Sequence, residues 1–223
     1  LAVRFAERNE VRYAYWGAFV TGLGLCNQHT LLFVALPVVA WSLWRAPHLV
    51  TPKVFGRLIM FGLLGLSPYV YLVWAGRRMM PGSWGDTGTL DGFVVHFLRR
   101  EYGTFQLYSG NDKAQFVLAL TLYAKDLFKS TLYIGPILIL VALIAALRGP
   151  RSIGFLVFVG FTFYMVVFHT LSNLPIHQPL FFVSVHVRFW MQPNVMAFML
   201  VGLGAGALFR TFLGQPKHRW TIA

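Results

Sequence analysis

Long apolar stretches separated by short polar connections make up most of the chain. Stretches near the roughly 20 residues that a helix needs to cross a bilayer lie at 54–75, 132–147, 153–171 and 195–209. With 57% hydrophobic residues in 223, this pattern predicts an all-α membrane protein. We expect residues 1–223 to form a single multi-pass helical core that is a fragment of a longer chain.

Residues 13–44 are apolar on both sides of a polar break at 26–30, which reads Cys-Asn-Gln-His-Thr. Two arms of roughly 14 to 16 residues would each rise only about 21–24 Å. A bilayer core is roughly 30 Å thick, so the break would lie below the far surface. Polar backbone is tolerated at that depth only inside protein or beside water. The pattern therefore predicts a short hairpin with a recessed polar tip.

The basic residues predict the orientation of the spans. With the N-terminal end in the cytosol, four short cytosolic segments contain eleven of the nineteen basic residues, as the positive-inside rule expects. These are Arg4, Arg8, Arg12, Arg45, Lys53, Arg57, Arg148, Arg151, Arg210, Lys217 and Arg219. The tip at 26–30 and the loops at 76–112 and 172–192 then share the opposite, lumenal side. Topology therefore accounts for the net charge of +12, and we expect no nucleic-acid partner.

Residues 113–129 have one apolar face and one basic polar face. That combination is typical of a helix lying in the membrane surface. The alternative is a further membrane span, which would reverse the sidedness of every later segment. The basic residues Arg148 and Arg151 favour the interfacial helix.

The segment 84–105 contains three of the seven acidic residues, a histidine and an arginine pair among aromatic side chains. A short helix is predicted after Thr89, which would place His96 and Arg99 on one face. A guanidinium group matches the geometry of a phosphate, and Asp86 or Glu101 could act as a base or orient a hydroxyl. The alternative is a solvated loop in which Glu101 pairs with a neighbouring arginine.

The tip and the 172–192 loop add further polar candidates. Asn27, Gln28 and His29 can bind sugar hydroxyls or phosphate oxygens, although they could also merely satisfy the helix ends at the break. Arg188, followed by Gln192, is either a phosphate ligand or a snorkelling anchor before a span.

Several catalytic classes lack their sequence signatures. The chain has no Walker-type glycine loop, HExxH, Gly-x-Ser-x-Gly or CxxC pair. Its seven histidines do not show the helical spacing of metal ligands. We therefore predict neither a metal site nor a cofactor.

Three motifs, in this order, resemble a known family. They are Cys26-Asn27-Gln28-His29-Thr30; Trp84-Gly85-Asp86 with Gly92-Phe93, His96-Phe97, Arg99 and Glu101-Tyr102-Gly103-Thr104-Phe105; and Arg188-Phe189-Trp190-Met191-Gln192. Over about residues 12–212 the chain resembles eukaryotic multi-pass protein O-mannosyltransferases of the endoplasmic reticulum and their bacterial relatives. The eukaryotic members modify plexin-type and hepatocyte-growth-factor-receptor-type (IPT) domains.

The resemblance implies a GT-C glycosyltransferase with its site at the lumenal mouth of a helical membrane core. Its substrates would be a polyprenyl-phosphate sugar, by analogy dolichyl-phosphate mannose, and Ser or Thr hydroxyls of lumenal protein domains. Membrane lipid is the remaining expected partner. The family's essential acid is expected before Leu1, with Asp86 as a reserve candidate, whereas Arg100 departs from an acid found in relatives.

The resemblance also suggests roles for the candidate residues. Arg99 and Arg188 would neutralise the leaving phosphate, while His96 and the tip residues Asn27, Gln28 and His29 would position sugar and phosphate oxygens. The wall around the sugar or acceptor would consist of Trp84, Glu101, Tyr102, Phe105 and Gln192.

The sequence is also compatible with other classes of function. A broken membrane helix with a polar centre is also how secondary transporters build binding sites, although no inverted repeat is visible here. Another lipid-linked-sugar glycosyltransferase and a structural membrane protein are the remaining alternatives.

Overall fold

A computed structural model describes residues 1–83, 85–100, 106–108, 113–149, 152–178 and 181–213. Throughout these ranges the regular structure is helical, and they contain no β-strand. The α-helices are α1 (Ala2–Arg8), α2 (Val11–Asn27), α3 (Leu32–Arg45), α4 (Pro52–Gly65), α5 (Pro68–Arg77), α6 (Leu90–Phe97), α7 (Phe116–Ser130), α8 (Gly135–Leu147), α9 (Ile153–Leu171), α10 (Phe181–Val187) and α11 (Met191–Phe212). The predicted all-α fold class is confirmed.

Within the described ranges, two helical segments are long and apolar enough to cross a membrane. These are α9 and the continuous run Phe181–Phe212, which joins α10 to α11 through a 3₁₀ turn at Arg188–Trp190. Two bent pairs raise the number to four if each pair is one span: α4 with α5, bent by 43°, and α7 with α8, bent by 102°. Helices of this length and composition are those of an all-α membrane protein.

Hydroxyl side chains cap the starts of three helices. The backbone N–H of Val54 donates to Thr51 at 3.3 Å before α4, and that of Phe155 donates to Ser152 at 3.2 Å before α9. Thr89 accepts from the N–H of Gly92 at 3.1 Å. This last cap begins α6 at the residue that the sequence predicts, because a Thr hydroxyl satisfies a donor left unpaired in the first turn.

The two arms of the hairpin are α2 and α3, of 17 and 14 residues. The helical path is interrupted at Gln28, whose backbone is extended, and the chain turns through a short 3₁₀ segment, His29–Leu31, before α3 begins. At 1.5 Å per residue the arms measure about 26 and 21 Å. The break coincides with the polar residues of the motif.

Helices α2 and α4 pack together through glycine. A Cβ atom added to Gly22 would lie 2.3 Å from the carbonyl oxygen of Gly62, and one added to Gly65 would lie 2.2 Å from that of Phe19. Because backbones at glycine can approach each other closely, α4 lies directly against the first arm. A stacked pair, Tyr15 and Phe61 with ring centroids 5.2 Å apart, extends this contact.

The largest buried side chains lie where α9 meets α3, α8 and α11. Tyr164 and Phe168 of α9 stack with centroids 5.4 Å apart, and Leu200 of α11 is fully buried in the same cluster. Phe33 of α3 packs against Tyr164. The second arm of the hairpin is thereby attached to the core, with its tip close to the end of α9.

Helix α7 turns sharply away from α8 and buries one face. Ala119, Tyr123 and Leu127 are buried, and Tyr123 packs edge-on against Trp190 at 5.5 Å between centroids. The interfacial position of this helix remains a prediction about the membrane. The contact between Tyr123 and Trp190 joins α7 to the 3₁₀ turn that precedes α11.

The close contact of α8 with α11 depends on one glycine. A Cβ atom at Gly204 would lie 1.9 Å from the carbonyl oxygen of Leu138, whereas one at Gly202 meets nothing within 4 Å. We expect Gly204→Ala to destabilise the full-length protein by about 1–3 kcal/mol, the usual effect of overpacking. Thermal unfolding in detergent would measure this, with Gly202→Ala as the matched control. Equal stability of the two variants would contradict the prediction.

Candidate functional site

A cavity of about 210 Å³ lies where the hairpin tip meets the ends of α6 and α9. Four short segments of the chain form its wall, at 29–33, 97–99, 106–107 and 168–172. Its lining residues are His29, Thr30, Leu32, Phe33, Phe97, Leu98, Arg99, Gln106, Leu107, Phe168, Leu171 and Ser172. We call this space the tip cavity.

The imidazole of His29 is held between α5 and α6. Its Nε2 atom and the hydroxyl of Tyr69 form a hydrogen bond of 3.2 Å, and Phe97 packs edge-on against the ring at 6.1 Å between centroids. Burial lowers the pKa of His29 below its usual value, and the positive charge of Arg99 and then the proximity of His96 lower it further. The neutral form that burial favours can serve both as a donor and as an acceptor.

The neighbouring Thr30 connects the tip to α11. Its side chain is buried, and its hydroxyl donates to the side-chain oxygen of Gln192 at 3.2 Å. The two residues are 162 positions apart in the chain. A buried hydroxyl needs such a partner, so this contact defines where the tip lies relative to the last long helix.

Arg99 enters the tip cavity from the end of α6 with an unusual backbone conformation. Its φ of 52° lies in the left-handed region, and the N–H groups of Arg99 and Arg100 donate to the carbonyls of His96 and Val95. This is the Schellman termination, whose left-handed position is usually glycine. An arginine there accepts backbone strain, a feature that clusters at functional sites.

Aromatic packing determines how α6 presents Arg99. Phe93 and Phe97 lie on one face of α6, and both pack edge-on against Tyr69, at 5.9 and 5.2 Å between centroids. Because these residues are four apart, they occupy adjacent turns of the same face. The helix is thus fixed to α5, and its C-terminal end points to the tip.

Asn173, just after α9, holds another part of the wall. Its side-chain oxygen accepts from the backbone N–H groups of Leu107 and Tyr108 at 2.9 and 3.0 Å. Its amide nitrogen donates to the Tyr108 carbonyl at 2.7 Å. The buried amide therefore satisfies three backbone groups of a segment that contributes Gln106 and Leu107 to the cavity.

The wall combines flat apolar surfaces with a few polar groups. The apolar surface comes from Phe33, Phe97 and Phe168. The polar groups belong to His29, Thr30, Arg99 and Ser172. The hydroxyl of Ser172 is hydrogen-bonded to Nδ1 of His186 at 3.2 Å. One guanidinium beside neutral donors and acceptors suits an anionic group attached to a hydroxylated or apolar body.

The structure brings some of the predicted site residues together and leaves others apart. His29 and Arg99 line the tip cavity, and His96 influences His29 electrostatically. Gln192 reaches the site through Thr30. The predicted residues Trp84, Glu101, Tyr102 and Phe105 lie outside the described residues.

Six of the predicted residues that the structure describes are not among those that line the tip cavity: Asn27, Gln28, Asp86, His96, Arg188 and Gln192. Asn27 is exposed at the end of α2, and Arg188 is exposed in the 3₁₀ turn before α11. Asp86 accepts a hydrogen bond from the hydroxyl of Thr89 at 3.2 Å, beside the cap of α6. Gln28 occupies the extended break itself.

The structure adds Tyr69, Ser172 and Asn173 to the site. Tyr69 lies within an apolar stretch, where a tyrosine is ordinary, so the sequence contains no signal for its contact with His29. Ser172 and Asn173 end α9 as ordinary small polar residues. Ser172 belongs to the site because its hydroxyl contacts the imidazole of His186. Asn173 belongs to it because its side chain binds the backbone of Leu107 and Tyr108.

The described residues contain no group of three or more His, Cys, Asp or Glu side chains placed to hold a metal ion.

Two relatives match most of the chain. A protein from Dictyostelium discoideum named "Protein O-mannosyl-transferase tmem260" is 38% identical over 209 residues, or 89% of this chain. A Mus musculus protein named "Protein O-mannosyl-transferase TMEM260" is 34% identical over 218 residues, or 93% of this chain. Over this shared part, the chain is related to the protein O-mannosyl-transferases. The predicted resemblance of the chain to protein O-mannosyltransferases is confirmed.

The shared part is a fraction of each relative. It covers 25% of the Dictyostelium protein and 31% of the mouse protein, so the chain spans between a quarter and a third of their length. No protein-family model and no solved structure matches it significantly.

We predict that removing the Asn173 amide loosens the 106–108 segment. In Asn173→Ala, amide hydrogen exchange at Leu107 and Tyr108 in the full-length protein should accelerate by roughly tenfold or more, since each lost hydrogen bond contributes about 0.5–1.5 kcal/mol. Asn173→Asp retains the two acceptor contacts and should have a smaller effect. Unchanged exchange in Asn173→Ala would contradict the role of the amide.

Proposed function

We propose that the full-length protein transfers mannose from a polyprenyl-phosphate donor to Ser or Thr hydroxyls of lumenal protein domains, in the membrane of the endoplasmic reticulum. The two relatives, both named protein O-mannosyl-transferases, support the reaction class. Dolichyl-phosphate mannose is the proposed donor. An all-α membrane core suits a donor whose lipid part must remain in the bilayer.

The observation that carries the proposal is the meeting of His29 and Arg99 in one cavity. They lie 70 positions apart in the chain, in two motifs that each predict contact with phosphate or sugar oxygens. A phosphate and a sugar require this combination: a cation for the leaving group and neutral hydrogen-bonding groups for the hydroxyls. Phe33 and Phe97 would pack against the sugar or the first isoprene unit.

In the proposed reaction, the acceptor oxygen attacks C1 of the mannose and the bond from C1 to the phosphate oxygen breaks. The polyprenyl phosphate leaves with the electron pair of that bond. Negative charge therefore grows on the phosphate, where the guanidinium of Arg99 stabilises it. Neutral His29, oriented by Tyr69, would hydrogen-bond to sugar or phosphate oxygens.

The hydroxyl proton of the acceptor must pass to a base. We assign this role to an acid in another part of the full-length protein, because Asp86 is exposed and bound to Thr89 beside the start of α6. The remaining predicted residues keep supporting roles in the proposal: His96 beside His29, Gln192 behind Thr30, and Arg188 as a second cation near the membrane surface.

A transfer assay tests the function directly. Membranes containing the full-length protein, incubated with radiolabelled dolichyl-phosphate mannose and an IPT-domain acceptor, should label the acceptor on Ser or Thr. A transporter or a scaffolding protein would leave the acceptor unlabelled. Absence of labelling with a folded protein and a competent acceptor would overturn the assignment.

The left-handed backbone at Arg99 allows a test in which loss of function is separated from unfolding. Arg99→Gly removes the guanidinium and at the same time supplies the residue that a Schellman termination prefers. We expect mannose transfer to fall by about a hundredfold or more, as when one transition-state donor is removed. Thermal stability should be unchanged or slightly higher.

Met79 provides the matched control. It has φ of 46° at the end of α5 and the same pair of backbone hydrogen bonds, but it is 90% exposed and lies away from the tip cavity. Met79→Gly should retain full transfer activity. Full activity of Arg99→Gly, or equal losses in both variants, would exclude a specific role for the arginine.

A further inference from the structure

A second, larger cavity runs along the hairpin arms, between α2, α3 and α4. Its volume is about 750 Å³, within the range of about 300–1,000 Å³ typical of ligand sites. It extends along α2 from Tyr13 to Leu25 and includes none of the residues that line the tip cavity. We call it the arm cavity.

The surface of the arm cavity is chemically apolar. Most of its lining side chains are Leu, Val, Ile, Ala and Phe. The hydroxyls of Thr21 and Ser42 donate within their own helices, to the carbonyls of Gly17 at 2.8 Å and Val38 at 2.7 Å. Because these donors are satisfied, the interior favours a hydrocarbon chain rather than a polar ligand.

Positive groups cluster at one end of the cavity, around Tyr13. The Arg8 and Arg12 side chains donate to the Tyr13 hydroxyl at 3.2 and 3.5 Å. Their guanidinium carbons lie 6.0 and 5.1 Å from the ring centroid. Glu10 pairs with Arg12 at 2.5 Å between Oε2 and Nε.

The charge at this end remains positive after the acids are counted. Five basic residues, Arg4, Arg8, Arg12, Lys53 and Arg57, belong to α1 and to the starts of α2 and α4, against the two acids Glu7 and Glu10. Basic groups beside apolar membrane helices attract anionic lipid headgroups. The apolar lining of the arm cavity matches the acyl chain of a lipid, and the basic cluster at its end matches an anionic headgroup.

We propose that the arm cavity binds an anionic glycerophospholipid, with one acyl chain between α2, α3 and α4 and its phosphate at Arg8 and Arg12. The donor phosphate assigned to the tip cavity cannot serve both sites. Tyr13 and His29 are separated by about 24 Å at 1.5 Å per residue. A lipid whose phosphate lies at Arg8 and Arg12 is therefore a molecule separate from the donor, and this inference is independent of the proposed transferase reaction.

Photolabelling tests the site directly. The full-length protein is placed in phosphatidylcholine vesicles that contain phosphatidylglycerol with a photoactivatable group on its acyl chain. After irradiation, labelled peptides are expected from α2 and α4. The same probe with a phosphatidylcholine headgroup should label these peptides several-fold less.

Two glycines allow a matched steric test. A Cβ atom at Gly17 or Gly56 meets nothing within 4 Å, but only Gly17 lines the arm cavity. Gly17→Leu should therefore fill the chamber and reduce labelling several-fold, whereas Gly56→Leu adds the same side chain elsewhere and should leave labelling unchanged.

Two double variants test whether the lipid phosphate lies at Arg8 and Arg12. Arg8→Gln combined with Arg12→Gln should reduce phosphatidylglycerol labelling on the order of tenfold, as expected for two basic groups near an anionic surface. Arg4→Gln combined with Arg57→Gln removes the same net charge away from Tyr13 and should reduce labelling less than the Arg8 and Arg12 pair does, because only the general attraction of the basic cluster is weakened.

Three results would overturn the proposal. Equal labelling by the two headgroups would exclude anionic recognition. Undiminished labelling in Gly17→Leu would exclude the chamber as the chain site. Absence of label from α2 and α4, as expected if another helix of the full-length protein fills the cavity, would exclude the lipid.

Discussion

The polar break in the α2–α3 hairpin is the constraint on which the arrangement of the other helices depends. Among apolar helices, buried hydrogen-bonding groups need protein partners because neither hydrocarbon nor packed side chains can replace water. Thr30 binds Gln192 of α11, and His29 binds Tyr69 of α5. The requirement to satisfy one short turn therefore brings together helices from both ends of the chain, and the tip cavity forms beside that turn.

The elements around the cavity fall into two classes. Packed helices supply its rigid part: α9 through Phe168, and α6 through the contacts of its phenylalanines with Tyr69. Short terminations supply its polar part: the left-handed end of α6 at Arg99 and the end of α9 at Ser172 and Asn173. Such an arrangement holds a few polar groups on a rigid frame, which is how sites with defined geometry are built.

Some features could be predicted because they depend on local chemistry. The cap at Thr89 and the start of α6 follow from hydroxyl-to-backbone bonding within one turn. Of the three glycines at 202, 204 and 206, only Gly204 meets a neighbouring backbone, that of Leu138. Which glycine faces a neighbour depends on the rotation of the whole helix, and a periodic apolar pattern leaves that rotation undetermined.

The sequence by itself determined the fold class, the position of the hairpin break and the resemblance to protein O-mannosyl-transferases, because hydrophobic length, polar interruption and motif order are properties of the chain. Only the tertiary structure decided that His29 and Arg99 share a cavity, that Asp86 lies beside a helix cap, and that Tyr69 and Asn173 belong to the site. Those outcomes depend on contacts between residues tens of positions apart, where the geometry is set by helix packing and by hydrogen bonds between buried polar groups such as those of Thr30 and Asn173.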